Sequence, residues 1–212
     1  MLNSLLLKGQ LWQGNFHSPD DIARARVFYE NYVALAVSAG VAFSPLVWNN
    51  ISVLRDMCGD ASGAKTALNE VVRVALGNCG VPEKSVSELS EAELAKLCED
   101  NLNVTLLYNY GVFSEKHGDE ALGQRIYEAI LKCVPQYYDC VLREAKLLMK
   151  RKQLEEAESK LKTLSSELGK QLASGVSFAS GVSCASLVSA TVAKGFVFLL
   201  TIDCARSASD AL

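Results

Sequence analysis

The chain has 212 residues, 50% apolar and 21% charged, with a net charge of -3. That balance supplies enough apolar side chains for a sizeable core. It excludes the strongly basic field on which direct nucleic-acid binding depends. Seven scattered cysteines without a C-x-x-C pair are expected to be reduced, as in a cytosolic or nuclear protein; Met1 to Leu7 is too short for the apolar core of a signal peptide with a basic flank.

Leu2 to Gln10 reads as a short apolar helix, broken by Gly14, Asn15, His17, Ser18 and Pro19. Ser18 or Asp20 can cap the next helix, with Pro19 suited to its first turn. Asp21 to Ala39 then carries Ala25, Tyr29, Tyr32 and Val33 on one helical face, so residues 1–44 are predicted to form a divergent helical hairpin. Pro45 opens a clearer unit over 45–78. Trp48, Ile51 and Ser52 stand in its first helix, Gly59 makes the turn, and Ala64 and Leu68 place small then large in its second.

Residues 79–103 do not follow that plan. Gly80 and Pro82 break the preceding helix, and Ser90 to Glu93 is a capping-box sequence ahead of Leu94 and Leu97. Six acids (Glu83, Glu88, Glu91, Glu93, Glu99, Asp100) face only Lys84 and Lys96. The segment is expected to be an acidic insertion, chiefly a solvated helix, with docking through its acidic face as the alternative.

The plan returns over 104–137, with Leu107, Tyr110 and Gly111 in the first helix and Gly118 at the turn. Gly123, Tyr127 and Ile130 follow in the second helix, and Pro135 ends it. Ser114 stands where an aromatic is preferred. Residues 138–170 repeat the unit 34 positions on: Gly111 falls on Ala145, Gly123 on Ala157, Tyr127 on Leu161 and Ile130 on Leu164. Small residues meet small and large apolar residues meet large apolar. The reason is steric, because a small side chain must sit where two backbones cross and a large one fills the hole beside it.

Residues 171–212 are rich in Ser, Gly and Val, and Leu187 to Ile202 is apolar apart from Lys194, Gly195 and a few hydroxyls. Three readings stand for this segment: a helix closing the end of the stack, a disordered tail, or a membrane anchor. The last would place Lys194 near the bilayer centre at about 2.5–3.5 kcal/mol.

The 34-residue period, with these small and large positions, resembles the tetratricopeptide (TPR) pattern, which implies an all-α, right-handed solenoid of antiparallel helix hairpins. In such a solenoid the inner helices line a groove. Side chains between the packing positions are expected to face it: Asn49, Val53 and Asp56, then Tyr108, Val112 and Glu115, then Leu142, Lys146, Met149 and Lys150. Its basic end at Lys146, Lys150, Arg151 and Lys152 could receive an acidic peptide. The carboxylate clamp of chaperone-binding TPR domains is not formed, since its places hold Asn49 and Val53, then Tyr108 and Val112.

No catalytic constellation is legible. His17 and His117 fall in predicted hairpin loops without a Cys or Asp at ligand spacing, and read as solvated loop residues. No phosphate-binding glycine loop or nucleophile elbow occurs, and Glu155, Glu156 and Glu158 sit with Lys160 and Lys162 as a solvated helix flank. The chain is therefore expected to be non-catalytic, without metal or cofactor.

A closer resemblance rests on three blocks. They are Pro45-x-x-Trp48-Asn49-Asn50-Ile51 with Gly59-Asp60 and Gly63-Ala64-Lys65; Val104-Thr105-x-x-Tyr108-Asn109-Tyr110; and Ala129-Ile130-Leu131-Lys132-x-x-Pro135-Gln136-Tyr137-x-Asp139-Cys140-x-Leu142-Arg143. Together they are similar to the large TPR scaffold subunit of the RNA-polymerase-associated factor (PAF) transcription elongation complex, over roughly Leu5 to Leu164. Members of that family are several times longer and lack so acidic an insert, so the chain is expected to be a fragment, an isoform or a diverged copy. The resemblance implies a nuclear scaffold for the other PAF subunits beside RNA polymerase II, with histone modification following through them. The alternatives are a cytosolic TPR adaptor and a membrane-anchored TPR protein.

Overall fold

Turn chemistry sets where the helices stop. The computed structural model describes residues 19–40 and 45–174. It is all-helical there, with no strand among the described residues. The helices are α1 (Pro19–Ser38), α2 (Pro45–Met57), α3 (Ala61–Asn78), α4 (Glu91–Leu97), α5 (Asn101–Lys116), α6 (Glu120–Cys133), α7 (Tyr138–Lys150) and α8 (Leu154–Ser174), with a single 3-10 turn at Val86–Glu88. Pro19 and Pro45 each open a helix, where a missing N–H costs nothing. The expected helix at Leu2 to Gln10 and the tail from 175, including Leu187 to Ile202, lie outside the described residues. Among the described residues no helix is long and apolar enough to cross a membrane.

The chain divides into two compact units, Met1–Ile126 and Tyr127–Leu212. In the first, α2 packs against α1, α3 and α5, and α3 also against α5. Ala25, Tyr29, Tyr32 and Val33 of α1 meet Val47, Ile51 and Leu54 of α2 and Ala67 of α3, with Trp48 partly buried against them. In the second, α7 and α8 close over Leu142, Ala145, Leu148, Ala157, Leu161, Leu164 and Leu168. Each buried leucine contributes about 1.5–3 kcal/mol of transfer free energy.

Three hairpin turns share one construction. Gly59 and Gly118 take left-handed φ values of 84° and 96°, and Lys152 does the same at 62°. The residue after each donates its N–H five residues back: Asp60 to Arg55, Asp119 to Ser114 and Gln153 to Leu148. Its own carbonyl then accepts from the small residue four positions on, Ala64, Gly123 or Ala157. The Asp60 and Asp119 carboxylates also cap the following helix, accepting from the Gly63 and Leu122 N–H groups at 2.9 and 3.1 Å. Twelve residues before each of those small residues stands another buried small one, Ser52, Gly111 or Ala145. At one of these crossings a Cβ built on Gly123 would lie 3.0 Å from the Gly111 carbonyl oxygen. Ile51, Ala64, Leu68, Leu107, Ala145, Ala157 and Leu161 are buried, as are Gly111, Gly123 and Tyr127, while Pro135 is exposed just past the end of α6.

In the acidic insertion the short helix α4 forms, and Glu83, Glu88, Glu91, Glu99 and Asp100 are exposed. The segment is not solvated throughout, because Val81, Val86, Leu89, Leu94, Leu97 and Cys98 are all buried. Two capping boxes fix it, Ser85 with Glu88 and Ser90 with Glu93. Lys84 pairs with Glu93 at 2.8 Å. The Lys84 bond, followed by the Ser90 backbone and hydroxyl, holds the Glu93 carboxyl down at about 2, so this box keeps its charge through all but the most acidic conditions.

Candidate functional site

Two parallel helices, α2 and α5, carry the positions that the sequence singled out in the first unit. Their register is fixed by polar ties at both ends. Asn109 Nδ2 donates to Asn49 Oδ1 at 3.0 Å, and one turn-pair further on Lys116 Nζ donates to Asp56 Oδ2 at 2.8 Å. Both ties join residues sixty apart, which requires the two helices to run in the same direction. His117 Nε2 lies 2.7 Å from Asp56 Oδ1, and its ring sits 4.4 Å from that of Phe113.

Burial alone would raise the Asp56 carboxyl, but hydrogen bonds from Lys116 and His117, with their charges, outweigh it and hold it below its ordinary value. A depressed folded-state pKa gives stability that is present above the unfolded value and is lost as pH falls through the folded one. Asp56→Asn is therefore expected to lower the urea midpoint at neutral pH. The gap to wild type should close as pH falls through and below the ordinary carboxylate range. A gap that stays constant across that range would show that the carboxylate does not tie α2 to α5.

Val53 lies on α2 between the two ties, and Tyr108 and Val112 lie on α5. All three are half-buried, as are Asp56 and Glu115. Asn49 does not join them: it is 3% exposed, and its side chain serves the Asn109 tie instead of facing a partner. Leu142 is likewise buried in the α7–α8 core, and Met149 packs against that core half-buried. Lys146 and Lys150 are exposed, with Arg151 and Lys152, in the second unit. His117 is exposed in the α5–α6 turn, as expected, and its ring makes a contact that the sequence did not signal. It is the C-cap of α5 and bonds across to α2; His17 lies outside the described residues.

Some interactions had no sequence signal. Tyr110 Oη donates to Asn69 Oδ1 at 3.1 Å, and burial, then the charge of Asp119, raises the Tyr110 hydroxyl above its usual range. Beside Asn69 a groove of about 590 Å³ runs between α3 and the connector 83–88. Glu70, Arg73, Glu83, Lys84 and Glu88 line it. Arg73 forks onto Glu70 with bonds of 3.0 and 2.5 Å. In the second unit Lys160 reaches back to the buried Glu144 at 2.7 Å, and Lys162 pairs with Glu158. Among the described residues no three His, Cys, Asp or Glu side chains converge on a metal-sized site.

Compared with protein-family models, with curated proteins and with solved structures, the chain matches none.

Proposed function

We propose that the chain is a non-catalytic, TPR-type scaffold that binds other proteins. The observation that supports this best is the threefold recurrence of one hairpin: Ser52 with Ala64, Gly111 with Gly123 and Ala145 with Ala157, each pair twelve residues apart around the same left-handed turn. Hairpins built alike stack alike and leave one flank of each first helix uncovered. On α2 and α5 that flank carries half-buried Val53, Tyr108 and Val112 beside charged Asp56 and Glu115, the apolar centre with polar rim of a modest protein interface.

The working context we assign is transcription elongation within the PAF complex, in the nucleus. Its support is the residue resemblance in the Trp48, Tyr108 and Pro135-to-Arg143 blocks. The test is affinity capture from nuclear extract with the full chain as bait, beside a Val53→Glu, Val112→Glu variant of unchanged helicity. PAF subunits and RNA polymerase II are expected with the wild type. Their recovery should fall about tenfold or more with the variant, as two charges forced into an apolar contact require. Partners recovered only from cytosol, without polymerase subunits, would overturn the PAF assignment and leave a general adaptor. Equal recovery by both baits would remove the α2–α5 face.

A further inference from the structure

Three exposed serines, Ser85, Ser87 and Ser90, stand in the connector between α3 and α4. Their spacing is regular. Ser85 has Glu88 three residues on, and Ser90 has Glu91 at the next position and Glu93 three residues on. Three residues on from Ser87 is Ser90 itself. The same Ser-x-x-Glu spacing that makes a capping box also offers a carboxylate at a fixed offset from an exposed hydroxyl, which is what an acid-directed serine kinase reads through its own basic residues.

We propose that Ser90 is a phosphorylation site for an acid-directed serine kinase, and that phosphate on Ser90 primes Ser87. The kinase transfers the γ-phosphoryl group of a nucleoside triphosphate. The bond from the terminal phosphorus to the β-bridging oxygen breaks, a bond to Ser90 Oγ forms, the hydroxyl proton passes to the kinase's base and the diphosphate leaves. Phosphoserine at 90 then supplies the charge three residues beyond Ser87 that the sequence otherwise lacks.

The structure says what the phosphate would disturb. Ser90 Oγ accepts from the Glu93 N–H at 3.2 Å and donates to Glu93 Oε2 at 2.9 Å, while the Ser90 N–H donates to the same carboxylate at 2.8 Å. A phosphate of charge about -1.5 to -2 cannot make that donation and repels Glu93. The carboxylate leaves the box, and Lys84, now 2.8 Å from Glu93, turns to the phosphate. Lys84 lines the groove beside α3, so modification changes the charge of that wall. Access is direct, because Ser85, Ser87 and Ser90 are all exposed.

The test incubates the full chain, and separately a synthetic peptide of residues 82–96, with a nucleoside triphosphate and an acid-directed serine kinase, and maps phosphate by fragmentation mass spectrometry. Phosphate is expected on Ser90 in both, followed by Ser87. Ser90→Ala should abolish the Ser87 phosphate, whereas Ser87→Ala leaves Ser90 modified. Glu93→Gln keeps a capping-box side chain but removes its charge, and should slow Ser90 phosphorylation about tenfold. Phosphate on the peptide but not the chain, on neither, or on Ser87 without Ser90 would overturn the proposal.

Discussion

Replacing Gly123 with leucine is expected to cost about 3 kcal/mol or more and to collapse the urea midpoint of the protein. A Cβ at this position meets the Gly111 carbonyl oxygen at 3.0 Å and the Glu115 N and Cβ at 3.4 Å. The nearest of these atoms is backbone, held in the α5 hydrogen-bond ladder, and cannot swing aside as a side-chain tip can. Alanine is the informative control. Its better helix propensity returns up to about 1 kcal/mol, which offsets much of the crowding. Gly123→Ala should therefore be mild and Gly123→Leu severe. The equivalent positions Ala64 and Ala157 already carry a Cβ and are fully buried. Twelve residues before them stand buried Ser52 and Ala145, so a Cβ is accommodated at both of those positions. A leucine variant with the wild-type midpoint would show that the crossing is not the contact that holds α5 against α6.

That crossing was readable from sequence because its cause is local and repeated. Small residues at fixed spacing around a glycine turn leave a periodic trace, and Gly59, Gly118, Ala64, Gly123 and Ala157 all stand where the period puts them. The third turn hides its trace, since Lys152 adopts the left-handed conformation that glycine takes in the other two. Forcing a side chain there costs about 1–2 kcal/mol, which the packing of α7 on α8 offsets.

The surface was harder to read than the crossings. Asn49 and Leu142 each precede a buried small residue by three positions, Ser52 and Ala145. On a helix that offset places them on nearly the same face, and both turn out buried. His117 and Asp56 are sixty-one residues apart, so no window of sequence could have joined them. The insertion was legible in part. Leu94, Leu97 and Cys98 keep helical spacing along α4 behind the capping box, whereas Val81, Val86 and Leu89 are buried in an irregular stretch outside any α-helix, where no such spacing marks them.

What holds that irregular chain is Arg125, and its removal carries the second large effect. Its guanidinium donates to three backbone oxygens of the connector, Val86 at 2.6 Å, Ser87 at 3.1 Å and Leu89 at 3.2 Å. A 3-10 turn and an extended cap leave such carbonyls without helical partners, and Val86 and Leu89 are themselves buried. Hydrogen bonds from a charged donor are worth about 1.5–3 kcal/mol each before non-additivity, so Arg125→Met is expected to cost about 3 kcal/mol. Methionine keeps much of the apolar stem, which separates lost donors from lost packing. The loss should be local first: amide exchange in residues 83–97 should accelerate, and protease should cut the connector, before the α2–α3 core responds. Arg125→Lys should recover only part of the difference, because one ammonium cannot reach three diverging oxygens with the geometry of a fork. Methionine and lysine variants with wild-type exchange over 83–97 would mean that the buried apolar side chains alone fix the insertion. The guanidinium, with its buried Nε left without a partner, would then be a tolerated cost instead of the clasp.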